Sequence, residues 1–159
     1  MLIPLIMVEA KVLQEPMLYL SVFFKKHRQT YYDLLQKVRT EGDWEAWLLF
    51  FMDAITATAS QAVSTAQKLT AMLVKDKAEI AGLGRASGSA TQVLDAMFAR
   101  PVSSISALAK ATGLIPATIG KALDALQHDA QTIREVSGLK RNRIFAYAEY
   151  IQILNEEVD

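Results

Sequence analysis

From Trp44 to about Ile80 the chain contains neither glycine nor proline. Those two residues cost a helix interior about 1 and about 3 kcal/mol relative to alanine, so nothing here interrupts a helix. Trp47, Phe51, Ile55, Ala62, Ala66, Leu69 and Leu73 recur at three-, four- or seven-residue steps. The spacing predicts one helix of about 37 residues, roughly 55 Å at about 1.5 Å per residue. Its first half is aromatic and belongs to a core. Its second half is rich in Ala, Thr and Ser, which lets a neighbouring helix approach closely. A polar-faced helix this long needs a partner along its length.

Shorter elements precede it. Residues 2–14 read as an apolar helix ending before Pro16, since the residue before a proline is pushed out of helical geometry. Residues 17–39 carry Leu18, Leu20, Phe23, Phe24, Tyr31, Tyr32, Leu34, Leu35 and Val38 at helical spacing, with a break expected near Lys25–His27. Thr40–Asp43 reads as a turn, with Asp43 as N-cap of the long helix. Residues 81–89, Ala-Gly-Leu-Gly-Arg-Ala-Ser-Gly-Ser, look flexible. A linker is expected there, between a helical domain at 1–80 and a second domain at 90–159.

The second domain has its own pattern. Thr91–Ala99 reads as a helix with Val93, Leu94, Met97 and Phe98 inward, stopped by Pro101. Ser104–Thr112 is a second helix, capped by Ser104, with Ile105, Leu108 and Ala109 inward. Gly113 supplies a tight turn. Pro116–Gln127 is a third, with Ile119, Ala122, Leu123 and Leu126 inward and Pro116 in the first turn. Residues 133–137 and 143–147 read as a hairpin closed by a turn at 138–142, and 149–155 as a last short helix. A helix, a helix-turn-helix and a basic-tipped hairpin make the winged helix-turn-helix arrangement. The expected fold class is therefore mainly α, one long helix followed by three helices plus a β-hairpin.

Composition narrows the function. There is no cysteine, which excludes a disulfide scaffold, a thiol nucleophile and Cys-based metal sites. Lys plus Arg and Asp plus Glu number 17 each, so any polyanion surface is a local patch rather than bulk charge. The apolar start, Met1 to Val8, has no preceding basic residue and no small-residue cleavage site, unlike a secretory signal. No stretch is expected to reach the roughly 20 apolar residues of a membrane span. A cytoplasmic protein without membrane contact is the expectation. Neither a P-loop nor a dinucleotide fingerprint occurs.

Four segments carry a resemblance: Leu2-Ile-Pro-Leu-Ile-Met-Val-Glu9, Pro16-Met-Leu-Tyr-Leu-Ser21, Tyr31-Tyr-Asp-Leu-Leu35 and Glu41-Gly-Asp-Trp-Glu-Ala-Trp47. They resemble the C-terminal part of the Fic family, enzymes that transfer AMP from ATP to protein hydroxyls. Arg134-Glu-Val-Ser-Gly-Leu-Lys-Arg-Asn-Arg143 is similar to the winged helix that many bacterial members append. In the family the first segment directly follows the signature H-P-F-x-[D/E]-G-N-G-R-x-x-R. No stretch here matches it: His27 is followed by Arg28 and Gln29, His128 by Asp129 and Ala130. The base, magnesium ligand and phosphate loop of the family thus have no counterpart, and the expectation is a non-catalytic chain with no cofactor and no metal. A core lacking the preceding helices would leave Leu2, Ile3, Leu5, Ile6, Phe23 and Phe24 partly uncovered. Large apolar patches are unusual on soluble monomers. A homodimer or higher oligomer is expected, through the apolar N-terminal helices and the long helix.

The candidate site lies in 90–159. In winged helices the third helix enters the major groove and the wing touches the backbone or minor groove. Outward positions on the third helix are expected at Ala117, Thr118, Gly120, Lys121 and Asp124. The wing concentrates Lys140, Arg141 and Arg143 around Asn142. Thr118, Lys121, Lys140, Arg141, Asn142 and Arg143 are therefore the candidate contacts to double-stranded DNA. Together with Lys110 they reach about four to six phosphates. Against that, the third helix offers no Arg, Asn or Gln for base readout. The segment also holds seven basic and eight acidic residues, and many DNA-binding modules are clearly basic. The alternative is a winged helix used for protein contacts or dimerisation. The Lys25–Arg28 cluster reads as a solvated face, Trp44 and Trp47 as packing residues, and the six methionines as gap fillers at buried positions.

Overall fold

A computed structural model describes residues 2–12, 20–139 and 141–156. The chain is mainly helical, with eight α-helices and a small sheet among those residues. Helix α1 spans Leu2–Glu9, α2 Leu20–Lys26, α3 Arg28–Glu41 and α4 Trp44–Ala81. The break between α2 and α3 falls at His27, whose backbone leaves helical geometry at φ −107° and ψ 36°. Helix α4 runs unbroken for 38 residues. Asp43 starts it, its Oδ1 accepting from the Ala46 amide at 3.2 Å, which satisfies one of the open N–H groups of the first turn.

Two compact units divide between Ser64 and Thr65. In the first, Leu20 and Ala54 are buried beside an aromatic cluster. Ring centroids lie 5.1 Å apart for Phe24 and Tyr31, 5.3 Å for Tyr31 and Trp47, and 5.6 Å for Phe23 and Phe50. Each such pair adds about 0.5–1.5 kcal/mol beyond area burial. Phe23 and Phe24, expected to be partly uncovered, are half-buried in this cluster. Leu5 and Ile6 are exposed, while the side chains of Leu2 and Ile3 lie outside the described residues.

The second unit, from Thr65 on, continues through α5 (Ser87–Ala99), β1 (Val102–Ser104), α6 (Ile105–Thr112), α7 (Pro116–His128), β2 (Arg134–Glu135), β3 (Ile144–Ala146) and α8 (Ala148–Asn155). Its core joins Val93, Leu94, Met97, Leu108, Ile119, Ala122, Leu123, Leu126, Ile133, Phe145 and Tyr147. Leu69, Met72 and Ile80 of α4 bury in the same cluster. Full burial of a large apolar side chain stabilises by about 1.5–3 kcal/mol, so the second half of α4 is held here. The unit boundary consequently falls inside α4, not at 81–89. That stretch is a turn at Gly82–Leu83, a 3₁₀ turn at Gly84–Ala86 and the start of α5, with Leu83 packed on the core.

The buried face of α4 in this unit steps through Thr65, Leu69, Met72, Asp76 and Ile80. Ala66, read from spacing as inward, is exposed, and so is Ala62 in the first unit. Met72 and Met97 are buried fillers, but Met52 is exposed. By length and composition α4 is also apolar enough to cross a membrane. That corrects the expectation that no stretch reaches a span; its many Ala, Thr and Ser residues hide this in a residue-by-residue reading. A core helix of a soluble protein passes the same test.

Asp76 is only 2% exposed. Its carboxylate accepts a hydrogen bond from the Tyr147 hydroxyl, which ties α4 to the residue after β3. Burial pushes the Asp76 carboxyl above its ordinary range, opposed by the Tyr147 hydrogen bond. Burial, with Asp76 beside it, also pushes the Tyr147 phenol up.

The sheet has the order β1-β3-β2, both pairs antiparallel. Strand β1 is absent from the sequence reading because three residues after a proline carry no visible alternation. It pairs Val102 with Ala146 and Ser104 with Ile144. The hairpin strands lie where expected but are shorter. Gly113 adopts φ +72° between α6 and α7, a left-handed conformation that glycine takes at little cost.

Candidate nucleic-acid interface

Helix α7 packs against α5 and α6. Its apolar face at Ile119, Ala122, Leu123 and Leu126 is fully buried, so register is fixed and the opposite face is presented. Ala117, Lys121 and Asp124 are exposed there. Thr118 and Gly120, expected outward, are half-buried. The Thr118 amide donates to Ile115 O at 3.0 Å, in the first turn. Thr118 and Lys121 stand three residues apart, hence on neighbouring positions of one helical surface.

The hairpin carries the second group. Strands β2 and β3 pair Arg134 with Ala146 and Glu135 with Phe145. The Val136 amide donates to Ile144 O at 2.9 Å, and the loop beyond holds the basic residues. Arg141 and Asn142 are exposed, and Asn142 takes φ 55°, a left-handed conformation that asparagine tolerates. Arg143 is half-buried; its guanidinium lies 5.1 Å from the Phe145 ring centroid, within cation–π range. Lys140 lies outside the described residues. Arg141, Asn142 and Arg143 thus share one loop, whereas Thr118 and Lys121 belong to α7.

Glu135 and Ser137 organise that loop, and neither was singled out from the sequence. Glu135 Oε1 accepts from the Ser137 amide at 2.9 Å, from the Gly138 amide at 3.1 Å and from the Ser137 hydroxyl. Ser137 Oγ in turn accepts from the Ile144 amide at 3.2 Å, bridging the two sides of the loop. The Ser137 hydroxyl, then the two amides and Arg143, hold the Glu135 carboxyl below its ordinary range. A lowered folded-state pKa means that these bonds help the loop above the ordinary carboxylate range and are lost as pH falls through the lowered value. The protection of the Ser137 and Gly138 amides, taken relative to their intrinsic exchange rates at each pH, is therefore expected to fall on acidification. Glu135→Ala should show that low protection already at neutral pH. Unchanged protection in that variant would remove Glu135 from the account of the loop.

A shallow hollow of about 380 Å³ is lined by Arg100, Ser106, Ala107, Lys110 and Ala111. Ser104, the N-cap of α6, accepts from the Ala107 amide at 3.3 Å. Its hydroxyl stands 2.9 Å from that of Ser106. Of the residues lining the hollow, the sequence singles out only Lys110. Among the described residues no group of three or more His, Asp or Glu side chains is arranged to hold a metal. No protein-family model matches the chain.

Proposed function

We propose that residues 65–159 form a winged helix-turn-helix module that binds double-stranded DNA. The order β1-α6-α7-β2-β3, on a core shared with α5, fits that architecture: α7 is the helix for the major groove and the β2–β3 hairpin is the wing. The observation that carries the reading is the loop of Arg141, Asn142 and Arg143, ordered from below by Glu135 and Ser137. Backbone contacts of this type position a protein without reading sequence. With Thr118 and Lys121 as the candidate contacts on α7, and the acidic Asp124 exposed beside them, affinity comes mainly from phosphates bound at the loop. The Fic-like segments of the first unit make the chain a non-catalytic relative of AMP-transferring proteins, acting in the cytoplasm as a transcriptional regulator. Anisotropy of the intact chain on a duplex from upstream of its own gene, beside a scrambled duplex, tests this. Binding with a preference for the upstream duplex supports regulation; binding to neither refutes the DNA reading.

A second reading rests on the first unit. Trp44, Leu48, Leu49, Met52 and Val63 of α4 are all at least half exposed, Leu49 at 62%. The Thr56 hydroxyl donates to Met52 O at 2.9 Å, so covering this face orphans no hydroxyl there. Leu5, Ile6 and Tyr32 are exposed as well, and a standard interface takes about 800 Å² per partner. A second copy of the chain is the proposed occupant. Sedimentation velocity should show a dimer, and Leu49→Lys with Met52→Lys a monomer. A monomeric parent chain at micromolar concentration rules this pairing out.

A further inference from the structure

We infer that the hollow between the end of α5 and the outer face of α6 binds a phosphoryl group. Arg100 and Lys110 bring two positive charges to one concavity, and no Asp or Glu lines it. Neither forms an ion pair among the described residues, although the acidic Asp95 and Glu156 are both engaged by lysines elsewhere. The floor is Ala107 and Ala111, whose methyl groups leave room for a ligand of several heavy atoms. Ser106, one helical turn before Lys110 on the same face, adds a hydroxyl. Ser104 Oγ already accepts from the Ala107 amide and has its own proton to give to Ser106 Oγ. Either hydroxyl can donate across this contact; with Ser104 as donor, the Ser106 proton is free to point outward. Guanidinium, ammonium and hydroxyl around one opening form a set of donors with no acceptor carboxylate. That set matches phosphate oxygens, with Arg supplying a planar fork and Lys a point charge.

The phosphoryl group has two sources, a DNA backbone phosphate or free phosphate. In the first case the site rests on the DNA reading and adds Arg100 and Ser106 to the phosphate contact expected at Lys110. In the second it stands without that reading. The test uses the full-length chain in two arms. Inorganic phosphate is titrated while amide shifts of Ser106, Ala107 and Lys110 are followed by NMR. Duplex affinity is measured against salt for the parent, for Arg100→Gln with Lys110→Gln, and for the wing substituted at Lys140, Arg141 and Arg143.

Both glutamines replace exposed side chains, and an unchanged melting temperature controls for folding. If a backbone phosphate is the ligand, the double variant lowers duplex affinity about fivefold near 0.15 M salt and flattens the salt slope by about one per phosphate lost. If free phosphate is the ligand, the amides shift in the parent and not in the double variant, whatever happens with the duplex. In that second case the wing variant leaves the phosphate shifts intact. A parent that binds no duplex but shows the shifts sinks the DNA reading and keeps this site. No shifts, together with no change in duplex affinity in the double variant, overturns the inference.

Discussion

Replacing Lys140, Arg141 and Arg143 together with alanine is expected to weaken duplex binding about a hundredfold near 0.15 M salt. Each phosphate neutralised contributes about 0.9 to the slope of log affinity against log salt, hence about 0.7 log units at that concentration. Three contacts multiply to roughly two decades, and the slope flattens by close to three. The fold should survive, because Arg141 is exposed and the hydrogen bonds that brace the loop run through Glu135 and Ser137. Arg143 leaves the Phe145 ring, but that ring stays buried in the core. Anisotropy titrations at three salt concentrations read both quantities. A variant with unchanged affinity would take the wing out of the binding surface.

The second large effect concerns stability. Tyr147→Phe removes the hydroxyl that donates to Asp76 and leaves a buried carboxyl with no hydrogen-bond donor among the described side chains. Hydrogen bonds to charged groups contribute about 1.5–3 kcal/mol, and an unsatisfied buried partner costs the full desolvation. A loss of about 2–3 kcal/mol is expected in urea unfolding followed by far-UV circular dichroism. Adding Asp76→Leu should recover most of it, since replacing both partners of a buried polar pair with apolar groups is often neutral.

The pH dependence has a definite sign. The folded-state pKa of Asp76 is raised above its ordinary 3.8, so the folded chain holds that proton more tightly than the unfolded chain. Its contribution is complete below about pH 3.8 and declines as pH rises through the raised value. Tyr147, raised above 10.0, adds a second decline at alkaline pH by the same rule. Asp76→Asn should remove the acid-side decline and keep the alkaline one. An Asn variant with the parent's full pH profile would place the titration elsewhere.

Helical periodicity made most of the second unit legible. Ile119, Ala122, Leu123 and Leu126 repeat at three and four residues and are all fully buried. The caps at Asp43 and Ser104 and the turn at Gly113 were equally readable, because each acts through its neighbours in sequence. What escaped depends on distant partners. Strand β1 exists only because β3 returns beside it. The burial of Asp76 needs Tyr147, 71 residues away. The glycines of 81–89 suggested a linker, yet Leu69, Met72 and Ile80 draw the preceding helix into the following core. Within the candidate site the cations at 140–143 are plain from the sequence. The carboxylate that shapes their loop, Glu135, and the arginine that completes the α6 hollow, Arg100, were not, since each gains its meaning from side chains placed by the fold.

Duplex DNA held through its phosphates is the proposed ligand of the second unit. The most direct measurement is the slope of log affinity against log salt for the unaltered chain on a duplex. About four to six phosphate contacts predict a slope near −4 to −5. A chain that binds no duplex at low salt, or binds with a slope near zero, contradicts the account.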